Sequence, residues 1–75
     1  MEGLTEGRMV HFVLNDHTHR PAVVVEVQNN RDGLVELFVM LALNDTADAD
    51  RSMNAFNVQY DSTFRVGTWH WIERA

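Results

Sequence analysis

The feature that most constrains the fold of this chain is a pair of apolar segments separated by a short turn sequence. Residues 22–27 are rich in valine, which fits the pleated, half-buried surface of a strand. Residues 29–33 have the sequence Asn-Asn-Arg-Asp-Gly, and Asn, Asp and Gly accept the positive φ angles of a tight turn. Residues 34–43 are again almost entirely apolar. The pattern predicts an antiparallel hairpin.

The second strand of this hairpin is apolar on both faces. Alternate positions from Val35 to Leu43 are apolar, and the opposite face is apolar at every position except Glu36. A strand of this kind is covered on both sides. In so small a chain the second cover is expected to come from another subunit, so we predict a homo-oligomer. A helix over the same residues is the alternative, which the preceding turn and the β-branched content disfavour.

Alternating segments elsewhere predict three further strands. The pattern alternates from Arg8 to Leu14, and Pro21 suits the start of a strand because its missing N–H is tolerated there. The predicted strands are residues 8–14, 22–27, 34–43, 53–60 and 68–73. The predicted fold class is all-β, a small five-stranded antiparallel barrel or sandwich of the Src-homology-3-like or OB-like kind. Residues 1–7 are expected to form a flexible lead-in, and residues 8–75 are expected to form a single domain.

Composition narrows the environment and the partners of this domain. The 75 residues include no cysteine, which excludes a disulfide and a zinc site built on thiolates. One core of this size supplies little stability, so oligomerisation is the expected reinforcement. The net charge of −5 argues against binding to duplex nucleic acid. The sequence shows neither a signal peptide nor a membrane span, so we expect a soluble intracellular protein.

Two of the four histidines are close enough in sequence to suggest a metal site. His17 and His19 are two residues apart, so on a strand both imidazoles would point the same way and could chelate a metal ion. Loop histidines are more often solvated than bound to a metal ion. The acidic run 44–50 lacks the central glycine and the bidentate glutamate of a calcium loop. We therefore predict no metal ligand and no cofactor.

The segment Trp69-His70-Trp71 is the most informative part of the chain. On a strand the two indoles share one face and His70 takes the other. Both tryptophans could close the core, where they would bury a large area. Alternatively they form a stacking shelf for a base or for a side chain of a partner. The sequence leaves both interpretations open.

Arginine and histidine side chains suggest a second kind of site. Arg20 lies at a loop-to-strand junction, and Arg8 and the loop histidine His19 are expected nearby. An arginine with histidine neighbours can hold a phosphate. The alternative is a surface arginine paired with Asp16 or Asp61. No nucleophile motif accompanies either serine, so we predict that the protein is not an enzyme.

Residues 7–14, 20–25, 58–61 and 67–73 together resemble a family of small, mostly uncharacterised bacteriophage and prophage proteins. The C-terminal Gly-Thr-Trp-His-Trp segment is the most specific part of this resemblance. The chain departs from the family pattern at Ile72, where a proline often follows the second tryptophan. The resemblance implies a phage origin and a location in the host bacterial cytoplasm.

Compact accessory phage proteins often counter host defence, so the resemblance implies a non-enzymatic counter-defence protein. We predict that it sequesters a host nucleotide signal in a pocket formed by the oligomer, where arginine and histidine side chains hold phosphates and an indole stacks on a base. The predicted ligand-binding residues are Arg8, His19, Arg20, Trp69, His70 and Trp71. The alternatives are a protein-interaction module that inhibits a host enzyme or mimics DNA, and a virion or assembly component.

Overall fold

The computed structural model describes residues 1–42 and 51–73, and its regular secondary structure is entirely β. The strands are β1 (Met9–Val13), β2 (His19–Asn29), β3 (Leu34–Met40), β4 (Ser52–Val58) and β5 (Trp69–His70). The all-β prediction is confirmed. The described residues contain no helix with the length and apolarity that a membrane crossing requires.

The five strands form one antiparallel sheet in the order β4-β3-β2-β1-β5. The first four strands follow one another as a meander, and β5 then returns to pair with β1. A parallel bridge between Tyr60 and Trp69 brings the chain that follows β4 beside β5. The named strands do not close into a ring, so the narrower expectation of a barrel or sandwich stays a prediction.

The predicted hairpin is confirmed, although its strands have different bounds. β2 and β3 pair in antiparallel fashion on either side of Gly33, and β3 is a strand, not the alternative helix. β2 begins at His19, so this predicted loop histidine belongs to the sheet. β3 ends at Met40, and its predicted end at Leu43 lies outside the described residues.

β5 is much shorter than predicted, because only Trp69 and His70 keep the ladder with β1. The predicted strand 68–73 continues instead as a segment without strand pairing from Trp71 to Glu73. This segment continues from the edge strand β5, next to β1, without pairing to it.

The core lies against one face of the sheet and is built from alternate residues of the strands. Trp69 is the largest fully buried side chain, and its indole N–H donates a 2.7 Å hydrogen bond to the carbonyl of Gly33. Full burial of a valine, leucine or phenylalanine side chain contributes about 1.5–3 kcal/mol. The other buried members are Leu4, Val10, Phe12, Ala22, Val24, Val35, Leu37, Val39 and Val58.

The opposite face of β3 is partly open to solvent among the described residues. Phe38 is 39% exposed, and its cross-strand neighbour Val23 on β2 is half-buried. One apolar face of β3 therefore lies in the core, and the other apolar face is partly exposed. Cover of this face by a second subunit stays a prediction.

A side chain at Gly33 would clash with the chain segment that packs against this turn. The φ of Gly33 is +71°, and a Cβ would lie 2.8 Å from the Cβ of Tyr60. We expect Gly33→Ala to lower the free energy of unfolding by about 2–4 kcal/mol through strain and the clash. Urea denaturation monitored by tryptophan fluorescence measures the change.

Gly67→Ala is the matched control, since Gly67 has φ +79° but nothing within 4 Å of an added Cβ. This variant should carry only the backbone cost, which is about 1 kcal/mol. Equal destabilisation by the two substitutions would contradict the predicted clash at Gly33.

Candidate metal centre

Three histidines converge on the face of the sheet opposite the core because of strand alternation and register. His11 on β1 lies directly opposite His70 on β5. His19 on β2 lies opposite Val13, two residues along β1 from His11, so it is a diagonal neighbour on the same face. Directly opposed Cβ atoms are about 5 Å apart and diagonal ones about 7–8 Å, within reach of imidazole rings.

Glu73 completes the group from the segment that follows β5. Its carboxylate oxygens lie 3.0 Å from Nδ1 of His11 and 2.8 Å from Nδ1 of His19. The carboxylate is also hydrogen-bonded to Nε2 of His70. One ligand atom from each of the four residues lies within 4.8 Å of the other three. Three imidazole nitrogens and one carboxylate therefore share a small volume.

The group lies partly below the surface, and an aromatic ring covers one side. His70 is 2% exposed, whereas the side chains of His11, His19 and Glu73 are 21%, 27% and 36% exposed. The ring centroid of Phe64 lies 4.3 Å from that of His70 and 5.0 Å from that of His19. The centre is thus accessible to a small ion but shielded from bulk water on the Phe64 side.

The electrostatics of the group favour an ionised carboxylate beside the imidazoles. Burial by itself would raise the pKa of Glu73, but hydrogen bonds from His70 and His19 and the charges of His70 and His11 outweigh it. The net effect lowers the pKa of Glu73 from 4.5 to about 2. Glu73 is therefore an anion at every physiological pH and can serve as a ligand without losing a proton.

His70 favours its neutral form. Burial lowers its pKa most, the hydrogen bond to Glu73 and the carboxylate charge oppose that effect, and the charges of His19 and His11 reinforce it. Its Nδ1 is buried without a hydrogen-bond partner among the described residues. A neutral imidazole is the form that coordinates a metal ion.

The residues predicted from the sequence are divided among different parts of the fold. His19 and His70 come together in this centre, with ring centroids 4.6 Å apart. Trp69 lies in the core and offers no exposed ring to a ligand. Arg20 lies opposite Phe12 in the register, on the face of β2 that His19 does not share.

Arg8 and Trp71 form a separate pair. The guanidinium carbon of Arg8 lies 5.2 Å from the centroid of the Trp71 ring. The half-buried Trp71 packs edge to face against Trp69, with centroids 5.0 Å apart. The two indoles therefore share the core side, although Trp71 lies beyond the end of β5. The six predicted residues do not meet in one site.

A pocket of about 360 Å³ opens elsewhere in the molecule. Its lining residues include Phe12, Leu14, Leu41 and Met53. None of the predicted ligand-binding residues lines it. The pocket therefore gives no support to a nucleotide site built from those residues.

Sequence reasoning missed His11, Glu73 and Phe64 as members of the site. The close spacing of His17 and His19 in sequence suggested that these two residues form a pair. His17, however, lies in a turn with φ +67° and is not part of the group. His11 and His70 are 59 positions apart, and only the β1–β5 register places them side by side. The acidic run 44–50, considered as a calcium loop, lies outside the described residues.

Comparisons of this chain with protein-family models, curated proteins and solved structures gave no match.

The low pKa of Glu73 predicts how stability depends on pH in chelator-treated protein. Because the folded pKa is about 2 and the ordinary value is 4.5, the carboxylate stabilises the fold above about pH 4.5. That contribution is lost as the pH falls from about 4.5 towards 2. We expect Glu73→Gln to lower the free energy of unfolding by about 1 kcal/mol at pH 5.5, a modest value because the group is one-third exposed.

Urea denaturation at a series of pH values measures this difference between the two proteins. Glu2→Gln, which removes an exposed carboxylate outside the histidine group, is the control. A Glu73→Gln effect of the same size at pH 5.5 and pH 2.5 would show that the carboxylate makes no stabilising ion pair.

Proposed function

We propose that this protein is a metal-binding module whose centre, formed by His11, His19, His70 and Glu73, takes a zinc ion. The observation that carries the proposal is the convergence of three imidazole nitrogens and one carboxylate within 4.8 Å. These residues come from three strands and the following segment, so local sequence proximity does not account for the grouping. Imidazole and carboxylate are established ligands of Zn²⁺.

The geometry fits a four-coordinate ion after small side-chain movements. Zinc lies about 2.0–2.2 Å from imidazole nitrogen and carboxylate oxygen, so tetrahedral ligand atoms are about 3.4 Å apart. The four ligand atoms lie within 4.8 Å of one another. Side-chain rotations that shift these atoms by on the order of 1 Å bring them to the distances of a single ion. The strand backbones need not move.

The composition of the site favours a cation over a phosphate. Histidines can hold phosphate, but here the Glu73 carboxylate accepts hydrogen bonds from all three imidazoles. An incoming anion would meet that negative charge at short range. Three nitrogen ligands also disfavour Mg²⁺ and Ca²⁺, which prefer oxygen. A first-row transition ion remains, and zinc suits a tetrahedral set without redox chemistry.

A bound ion would reinforce the weakest part of the sheet. β5 contributes only two residues to the ladder with β1, and Glu73 follows it without strand pairing. Coordination by His11, His19, His70 and Glu73 would join β1, β2, β5 and that segment through one atom. Small domains without disulfides commonly use such a staple. Stabilisation of the fold is therefore the role that we assign to the ion.

Zinc titration of the purified, chelator-treated protein tests this function. We expect one equivalent to bind and, at a free concentration 100 times Kd, to raise the melting temperature by about 10–20 °C. Isothermal titration calorimetry and differential scanning fluorimetry give the two values. Ca²⁺ and Mg²⁺ at the same concentration should leave the melting temperature unchanged.

Two histidine variants in the same stretch of chain distinguish zinc binding at the site from nonspecific zinc binding. His19→Asn removes a ligand and should weaken zinc binding by at least about 100-fold, since four-coordinate sites depend on every ligand. His17→Asn changes a histidine outside the group, and asparagine tolerates the positive φ found there. It should bind zinc like the wild type. Equal loss in both variants, or no zinc binding by the wild type, would overturn the proposal.

Nucleotide sequestration stays a second proposal, and it is supported by the pairing of Arg8 with Trp71. A guanidinium 5.2 Å from a half-buried indole could hold a phosphate beside a stacked base. The associated predictions of a phage origin, a counter-defence role, a homo-oligomer and a host-cytoplasm location belong to this proposal. The protein-inhibitor and virion-component alternatives also remain open.

Calorimetric titration with cyclic nucleotides and ADP-ribose derivatives tests the second proposal. We expect a binding heat that Trp71→Ala abolishes and that His19→Asn leaves intact, because the indole and the metal centre occupy different places in the fold. The absence of a heat signal across the whole panel would contradict nucleotide sequestration while leaving the zinc proposal in place.

A further inference from the structure

Phe64 has an unusual position for an aromatic residue, because its ring packs on imidazoles and not on the core. The ring centroid lies 4.3 Å from that of the buried His70 and 5.0 Å from that of His19. Phe64 itself remains 41% exposed. Its apolar surface therefore covers one side of the metal centre while its outer side faces solvent.

The backbone at Phe64 adopts a conformation that an aromatic residue rarely takes. Its φ is +64°, in the left-handed region. This conformation costs a residue with a Cβ about 1–2 kcal/mol. Strained conformations of this kind persist only where the surrounding structure fixes them, and they concentrate at functional sites.

The turn that contains Phe64 is fixed by Asp61. The Asp61 carboxylate accepts hydrogen bonds from the backbone N–H and the hydroxyl of Thr63, and it pairs with Nε of Arg65 at 3.2 Å. The backbone N–H of Asp61 donates a 3.0 Å bond to the carbonyl of Trp69 on β5. The turn is therefore attached to the strand that carries His70.

We propose that Phe64 is a positioning residue that holds the imidazoles of His70 and His19 in place and slows release of the metal ion. The inference rests on the proposed zinc function of the same centre. A ring packed on two ligands limits their rotation and keeps water from the metal–nitrogen bonds. The apolar surroundings of a metal site control solvent access in this way. Metal affinity and exchange rate should therefore depend on a side chain that has no ligand atom.

The test compares Phe64→Ala with Phe56→Ala. Phe56 is also an exposed phenylalanine, 64% accessible, but it lies on β4 at the opposite edge of the sheet. We expect Phe64→Ala to release zinc to a chromogenic chelator at least about 10-fold faster in stopped-flow measurements, and to bind it correspondingly less tightly. Phe56→Ala should match the wild type in both.

Cobalt substitution supplies a readout that general loosening of the fold would not change. The visible absorption of bound Co²⁺ reports ligand geometry, and we expect its band positions and intensity to change in Phe64→Ala but not in Phe56→Ala. Phe64→Tyr keeps the ring and should restore both the spectrum and the slow release. Should Phe64→Ala fail to fold, Phe64→Leu serves in its place, with an expected increase of about 3-fold or more in the release rate.

The measurements on the wild type test zinc binding, and those on the Phe64 variants test the role of Phe64 separately. A wild-type protein that binds neither zinc nor cobalt overturns both. A wild type that binds zinc, together with a Phe64→Ala variant that shows the same release rate and cobalt spectrum, overturns only the role of Phe64.

Discussion

The burial of Trp69, which bonds β5 to the β2–β3 turn, is the interaction on which the rest of the structure depends. Trp69 is fully buried, and its indole N–H is bonded to the carbonyl of Gly33 at the β2–β3 turn. This anchor joins β5 to the β2–β3 hairpin. Because adjacent residues of a strand point to opposite faces, the burial of Trp69 in the core places His70 on the other face of the sheet, beside His11. The packing of Trp69 in the core therefore also places His70 beside His11.

This coupling has consequences for a domain of 75 residues without cysteine. Absence of thiolates excludes only one class of zinc site, since histidine and carboxylate ligands can replace cysteine. The group of His11, His19, His70 and Glu73 lies where the hydrogen-bond ladder is short, because β5 has only two residues. Reinforcement by an ion and reinforcement by a second subunit are separate devices, and the exposed Phe38 face leaves the second one open to experiment.

The same centre shows why an exposed aromatic residue need not belong to a docking surface. The ring of Phe64 packs on His70 and His19, and its turn is bonded to β5 through Asp61. The burial that removes His70 from water also lowers its pKa, so this imidazole favours the neutral form that a metal requires. Packing and electrostatics at this point favour the same chemistry.

The sequence by itself determined the all-β class, the β2–β3 hairpin and the opposite orientations of Trp69 and His70. These features follow from local rules, namely β-branched content, turn residues with positive φ, and the two-residue period of a strand. Only the tertiary structure decided that His19 lies in β2, that Trp69 belongs to the core, and that His11, His70 and Glu73 meet. The physical reason is register. The side-by-side position of His11 and His70 depends on strand pairing between segments 59 residues apart, and local sequence carries no record of that pairing.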